Sequence, residues 1–260
     1  MNDRSDASCV GEANLRFARA LVGELHLAGV AAAFVCPGSR STPLALAIAE
    51  RDGLRHSVHV DERSAAFQAL GFAKASGRPV VLLCTSGTAG ANFLPAVAEA
   101  DRSRVPLVIL TADRPPELRA WGAAQTMEQR TLYAGFTRWS EEAPCPSERS
   151  IASGYACALG RRAVLEATGP APGPVHLNLP FREPLLPASI EAAVPGVDAT
   201  RPRSLASQHD ENPLADLDGL AREIRGIERG VLVVGPDSWD PLLGDAVHAQ
   251  ARIDDASHPT

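Results

Sequence analysis

Four short segments hold most of the side chains that could do chemistry. Pro37-Gly38-Ser39-Arg40-Ser41-Thr42-Pro43 combines serine hydroxyls, a guanidinium and the backbone N–H groups that open a helix. That donor set suits an anion, and a carboxylate above all. The alternative is a helix cap followed by a surface arginine. Asp61-Glu62 stands where a strand gives way to an apolar helix. A glutamate desolvated there would exchange a proton nearer neutrality. It could equally be a first-turn glutamate favoured by the helix dipole. Thr85-Ser86-Gly87-Thr88-Ala89-Gly90 is a loop of small residues whose glycines let a ligand approach the backbone. It lacks both the Gly-Lys-Ser/Thr ending of a Walker loop and the G-x-G-x-x-G spacing, so phosphate binding is not its expected chemistry. In Asp113-Arg114-Pro115-Pro116-Glu117-Leu118 a rigid diproline follows an arginine, holding the guanidinium for two-pronged carboxylate binding. Local pairing of Arg114 with Asp113 or Glu117 is the alternative.

These segments recur at one kind of place, between an apolar run and a helical pattern. Leu15, Ala18, Leu21, Val22, Leu25 and Ala28 repeat at helical steps and predict a helix over 14–28. Strands are predicted over 31–35, 56–61, 80–85, 106–111 and 174–179, and further helices over 42–51, 63–76, 89–100 and 148–168. Strands that are apolar throughout, alternating with helices, imply a parallel sheet covered on both faces. The expected fold class is therefore α/β, with a doubly wound, mostly parallel sheet. Right-handed crossovers place every strand-to-helix loop at the carboxyl edge, where such folds bind ligands.

Residues 1–190 are expected to form this domain. The stretch 191–213 reads as a linker rich in proline, alanine and serine, and 214–260 as the start of a second α/β domain that is cut short. Charge is scattered, with a net of −6 and no basic stripe, which argues against nucleic acid. No apolar run approaches the length that spans a bilayer, and the polar start has no signal-peptide pattern. The five cysteines fit neither a disulfide framework nor a zinc pattern; Cys36 and Cys84 end apolar runs and read as small core residues. A cytoplasmic protein is expected.

In their order, C-P-G-S-R-S-T-P-L (36–44), D-E-R-S (61–64), T-S-G-T-A-x-A-N (85–92), T-A-D-R-P-P-E-L (111–118) and G-A-A-Q (122–125) closely resemble the 2-succinyl-5-enolpyruvyl-6-hydroxy-3-cyclohexene-1-carboxylate (SEPHCHC) synthase family of menaquinone biosynthesis. The stretch G-P-V-H-L-N-L-P-F-R-E-P-L (173–185) resembles that family's close of its first domain. The resemblance implies a transferase that binds thiamine diphosphate and a divalent metal, usually magnesium. It would decarboxylate 2-oxoglutarate and add the succinyl unit to isochorismate. It implies that Glu62 is the catalytic glutamate, hydrogen-bonded to the cofactor's aminopyrimidine ring. Thr85, Gly87 and Asn92 would also lie against the cofactor. Ser39, Arg40, Ser86, Thr88, Arg114 and Gln125 would contact the substrates, both dianions. Where the family usually has asparagine before that glutamine, this chain has Ala124.

The family is also longer. Its last domain holds the diphosphate through a metal bound by a Gly-Asp-Gly…Asn motif, and the site forms between two subunits. This chain has no Gly-Asp-Gly; Gly244-Asp245 continues with Ala246. The resemblance therefore implies no metal ligand in this chain, a homo-oligomer or a missing-domain partner, and no turnover by the chain alone. A different thiamine-diphosphate lyase, a non-catalytic carboxylate-binding or partner-capping fragment, and one half of a split enzyme are the competing readings.

Overall fold

The computed structural model describes residues 3–147 and 152–190. The expected linker and the expected start of a second domain lie outside the described residues. Helix α1 (Asp3–Leu27) leads into strand β1 (Ala32–Val35), then a single 3-10 turn (Ser39–Ser41), α2 (Thr42–Ala49) and β2 (Arg55–Val58). Next come α3 (Glu62–Ser76), β3 (Val80–Cys84), the short α4 (Thr88–Ala91), α5 (Leu94–Arg102) and β4 (Leu107–Asp113). The domain closes with β5 (Trp139–Glu142), α6 (Ala152–Thr168) and β6 (Val175–Pro180).

The six strands form one sheet in the order β2-β1-β3-β4-β6-β5, every pairing parallel. Alternation along each strand divides the core between its faces. Ala33, Val35, Val81, Leu83, Val108 and Leu110 pack with α1, α2 and α6. Ala32, Phe34, Val80, Leu82, Cys84 and Ile109 pack with α3 and α5. Both sides of β1, β3 and β4 are thus buried, which is why these runs are apolar without interruption.

The chain leaves β1 through α2 on one face and leaves β3 through α4 and α5 on the other. The loops after β1 and β3 therefore diverge, and the crevice between them is the switch point where doubly wound folds take ligands.

Differences from expectation have local causes. Helix α1 begins well before Asn14, because a helical stretch without an apolar stripe leaves no periodic signal. Strand β2 stops at Val58, and Asp61 is instead the N-cap of α3, its carboxylate accepting from the Ser64 amide at 2.7 Å. The single helix predicted over 89–100 is two, restarting at Leu94-Pro95. Strand β5 went unpredicted: Trp-Ser-Glu-Glu is polar because it lies at the edge of the sheet.

Leu82 is fully buried between β1 and β4. Leu82→Ala should lower stability by about 2–5 kcal/mol in urea unfolding, through lost transfer energy and a cavity that close packing leaves unfilled.

Candidate functional site at the carboxyl edge of the sheet

Cys36 and Cys84 end neighbouring parallel strands, and the segments that follow them meet at once. The Gly38 N–H donates to Ser41 Oγ at 3.1 Å, and that hydroxyl donates to the Gly38 carbonyl at 2.9 Å. This tight turn presses Gly38 onto Thr85: a Cβ at Gly38 would lie 2.5 Å from Thr85 Cβ. Glycine is required there by space. Gly87 is required for a different reason, its φ of 81° and ψ of −148°, which other residues adopt only under strain. Its Cα side faces Gln125, whose own φ is 55°.

The two arginines come together from different strands. Arg40 is only 5% exposed; its Nη1 donates to the Phe181 carbonyl at 2.9 Å and its Nη2 pairs with Glu183 at 2.8 Å. Its buried Nε has no hydrogen-bond partner among the described residues. Arg114 Nη1 donates to Ser86 Oγ. Partial burial, and then the nearby charge of Arg40, lower the Arg114 pKa; Glu183 works in the opposite direction. Two guanidiniums, one hydroxyl and one largely exposed carboxylate thus share a corner of the rim. Of the local alternatives for Arg114, its backbone N–H does donate to Asp113 Oδ1 at 2.7 Å, but the carboxylates' ion-pair partners are other arginines: Asp113 pairs with Arg119 at 2.9 Å, and Glu117 with Arg182 at 2.5 Å. Arg40 is not a surface arginine.

Glu62 starts α3 on the other side of the crevice. Burial, and next the Glu62 carboxylate, push the Cys36 thiol up to about 12. The Cys84 thiol is also raised, by burial first, then by Cys36 and Glu62. The glutamate therefore stands above the ends of β1 and β3. Among the described residues nothing donates a hydrogen bond to it or pairs with it. It is partly exposed among the described residues.

This arrangement of loops on a doubly wound sheet has counterparts among known proteins. Residues 15–132 match the thiamine pyrophosphate enzyme, N-terminal TPP binding domain. A solved structure of a Rhodococcus jostii thiamine diphosphate-dependent 4-hydroxybenzoylformate decarboxylase has a similar fold, with a TM-score of 0.55 and 20% identity, over 63% of this chain and 30% of that one. The SEPHCHC synthase of Geobacillus kaustophilus is 49% identical over 237 residues, covering 91% of this chain and 41% of the relative. That of Chloroflexus aurantiacus is 46% identical over 246 residues, covering 91% and 40%. The chain belongs to the SEPHCHC synthase family. It spans about two fifths of the length of these curated relatives.

For a SEPHCHC synthase family member, the sequence-predicted residues fall into two groups. Gly38 on Thr85, Ser86 on Arg114, Arg114 beside Arg40, and Gly87 on Gln125 form one connected rim. Ser39, Thr88, Asn92 and Gln125 are exposed along it. Asn92 is turned inward on its own helix, donating to the Thr88 carbonyl at 3.0 Å. Glu62 stands opposite, linked to that rim through Cys36 and Cys84. Among the described residues no cluster of three or more His, Cys, Asp or Glu could hold a metal.

Sequence reasoning missed the layer beneath. Gln129, His176 and Asn178 are about 1% exposed and bonded to one another or to their neighbours. Thr111 Oγ1 donates to Asn178 Oδ1 at 2.9 Å and accepts from His176 Nε2 at 2.7 Å. The readable signal was Val-His-Leu-Asn-Leu, in which two polar residues alternate through a strand that is otherwise apolar.

Gly38→Ala should destabilise the domain by about 1–3 kcal/mol in denaturant unfolding, and adding Thr85→Gly should recover a measurable part, since the two sites share one contact. Burial depresses the His176 pKa from 6.5 to about 3. The unfolded chain then binds a proton that the native one refuses, so stability present above pH 6.5 is lost as pH falls toward 3. Urea unfolding across that range should show a slope of up to about 1.4 kcal/mol per pH unit from this group, removed by His176→Gln.

Proposed function

We propose that this chain supplies the pyrimidine side of the active site of a SEPHCHC synthase. That cytoplasmic enzyme would use 2-oxoglutarate and isochorismate. The observation that carries the reading is Glu62: a carboxylate without a partner among the described residues, placed beside the switch point of the sheet. A carboxyl group at that place fits a ring nitrogen of an aminopyrimidine, and the small residues 85–90 leave room for a flat ring. When bound, thiamine diphosphate would supply the electron sink for loss of carbon dioxide from a 2-oxo acid.

The chain's own residues would do the rest. Glu62 would accept a hydrogen bond from the ring and hold a proton at its Oε atoms. A partner surface covering its exposed side would supply the desolvation that brings its proton exchange nearer neutrality. Thr85, Gly87 and Asn92 would line the ring. Arg114, fixed by Ser86, would present a guanidinium already partly stripped of water to a substrate carboxylate. Arg40 would add charge from behind, with Ser39, Thr88 and Gln125 at the entrance. The diphosphate and its magnesium ion would be held by residues other than those described, in a further domain or a second subunit.

The test is an assay with thiamine diphosphate, magnesium, 2-oxoglutarate and isochorismate, run on the chain alone and with a separately produced diphosphate-side domain from a relative. Turnover should appear in the mixture, and Glu62→Gln should cut it by a factor of about 10² or more while leaving the unfolding midpoint unchanged. Full activity of that variant, or a mixture as inert as the chain alone, would contradict the reading.

A further inference from the structure

The loop that carries Ser86, Gly87 and Thr88 is held from below by a segment that none of the site motifs includes. Tyr133 is fully buried and donates its hydroxyl to the Gly90 carbonyl at 2.6 Å. Four residues earlier, Gln129 Oε1 accepts from the Gly87 N–H at 2.7 Å. One short stretch, 129–133, thus grips the turn where it enters α4, at the N-cap Gly87 and at Gly90 within the helix.

The Gln129 side chain has only one way to sit. Its Nε2 donates to the Ala112 carbonyl at 3.1 Å and to Asn178 Oδ1 at 3.0 Å. Asn178 is fixed in turn, because its Nδ2 donates to Asp113 Oδ2 at 2.9 Å and to Glu142 Oε2 at 2.8 Å. Arg119 bridges those two carboxylates, each at 2.9 Å. The hydrogen bonds therefore run one way: the Gly87 amide donates to Gln129, Gln129 to Asn178, and Asn178 to an ion-paired carboxylate pair. Reversing any amide would set donor against donor or acceptor against acceptor in a buried place, at a cost of about 1–3 kcal/mol per unsatisfied group.

We propose that Gln129 is the positioning residue of the 85–88 loop, and that the Asp113–Glu142 pair sets its orientation through Asn178. The inference deepens the function proposed above, since this loop is the one assigned there to cofactor and substrate. Gly87 sits in a backbone conformation that an ordinary turn would not hold, and its amide is the point where the network fastens it. The backbone of Gln125 packs on the same glycine, so the fastening also places that side chain on the rim. Thr88 and Ser86 flank it, and Ser86 in turn carries Arg114.

The experiment follows the Gly87 amide by proton–nitrogen NMR and hydrogen exchange in the full chain, against the strand amides of Leu82 and Ile109 as internal references. No ligand is needed, so failure here and failure of the thiamine reading are separable. In the native chain the Gly87 amide should be protected. Gln129→Met, matched in volume, should speed its exchange about tenfold relative to the references, the size of one net hydrogen bond, and move its proton resonance upfield. Gln129→Asn, one methylene too short to reach, should do the same in a gentler background. Asn178→Leu, which does not touch Gly87, should also speed its exchange by removing the acceptor that orients Gln129. Thr111→Val, which removes a bond to Asn178 off the path, should leave the Gly87 resonance in place. An unprotected Gly87 amide in the native chain would overturn the proposal. So would Gly87 exchange that only follows Leu82 and Ile109 in the variants, or that Asn178→Leu leaves at the native rate.

Discussion

Everything at the candidate site depends on one pairing, the parallel alignment of β1 with β3 that sets Val35 against Leu83. That register brings the chain out of both strands at the same level, where it turns to opposite faces of the sheet. Gly38 and Thr85 then touch because there is nowhere else for two diverging chains to go. Glu62 above Cys36, and Ser86 reaching Arg114, follow from the same level. A slip of two residues would keep the core facing inward but separate these groups by more than the reach of any of them.

The rim spends stability on an arrangement that an anion would relieve. Partial burial and then the nearby charge of Arg40 lower the Arg114 pKa, and among the described residues the largely exposed Glu183 is the carboxylate that acts on both arginines. The Arg40 Nε is buried without a hydrogen-bond partner among the described residues. Below, the opposite rule holds: Asn178 satisfies all four of its hydrogen bonds, and Gln129 three. An under-satisfied surface resting on a densely hydrogen-bonded floor is what a binding site needs, since the floor holds still while the surface waits for a ligand.

Much of the framework was legible because burial writes itself into residue type. β1, β3, β4 and β6 are apolar runs, and the loops after the first three carry the motifs that named the family. What escaped had no such imprint. An edge strand of Trp-Ser-Glu-Glu looks like a surface turn. Gln129 stands four residues after Gln125 in the same polar stretch, yet one is buried and the other exposed, and nothing in residue type separates them. Arg40 read equally well as a surface group, because its partners, Phe181 and Glu183, lie 141 and 143 residues away. Long-range polar contacts have no period, so only the folded chain shows them.

The central claim is that residues from the ends of β1, β2, β3 and β4 face one ligand space. The most direct measurement is amide shift mapping of the full chain titrated separately with 2-oxoglutarate and with thiamine diphosphate. The dicarboxylate should move Ser39, Arg40, Ser86 and Arg114, and the cofactor Glu62 and Gly87, with Gly38 and Thr85 responding to both. Shifts scattered over the helical faces, or two ligands perturbing patches with no residue in common, would contradict it.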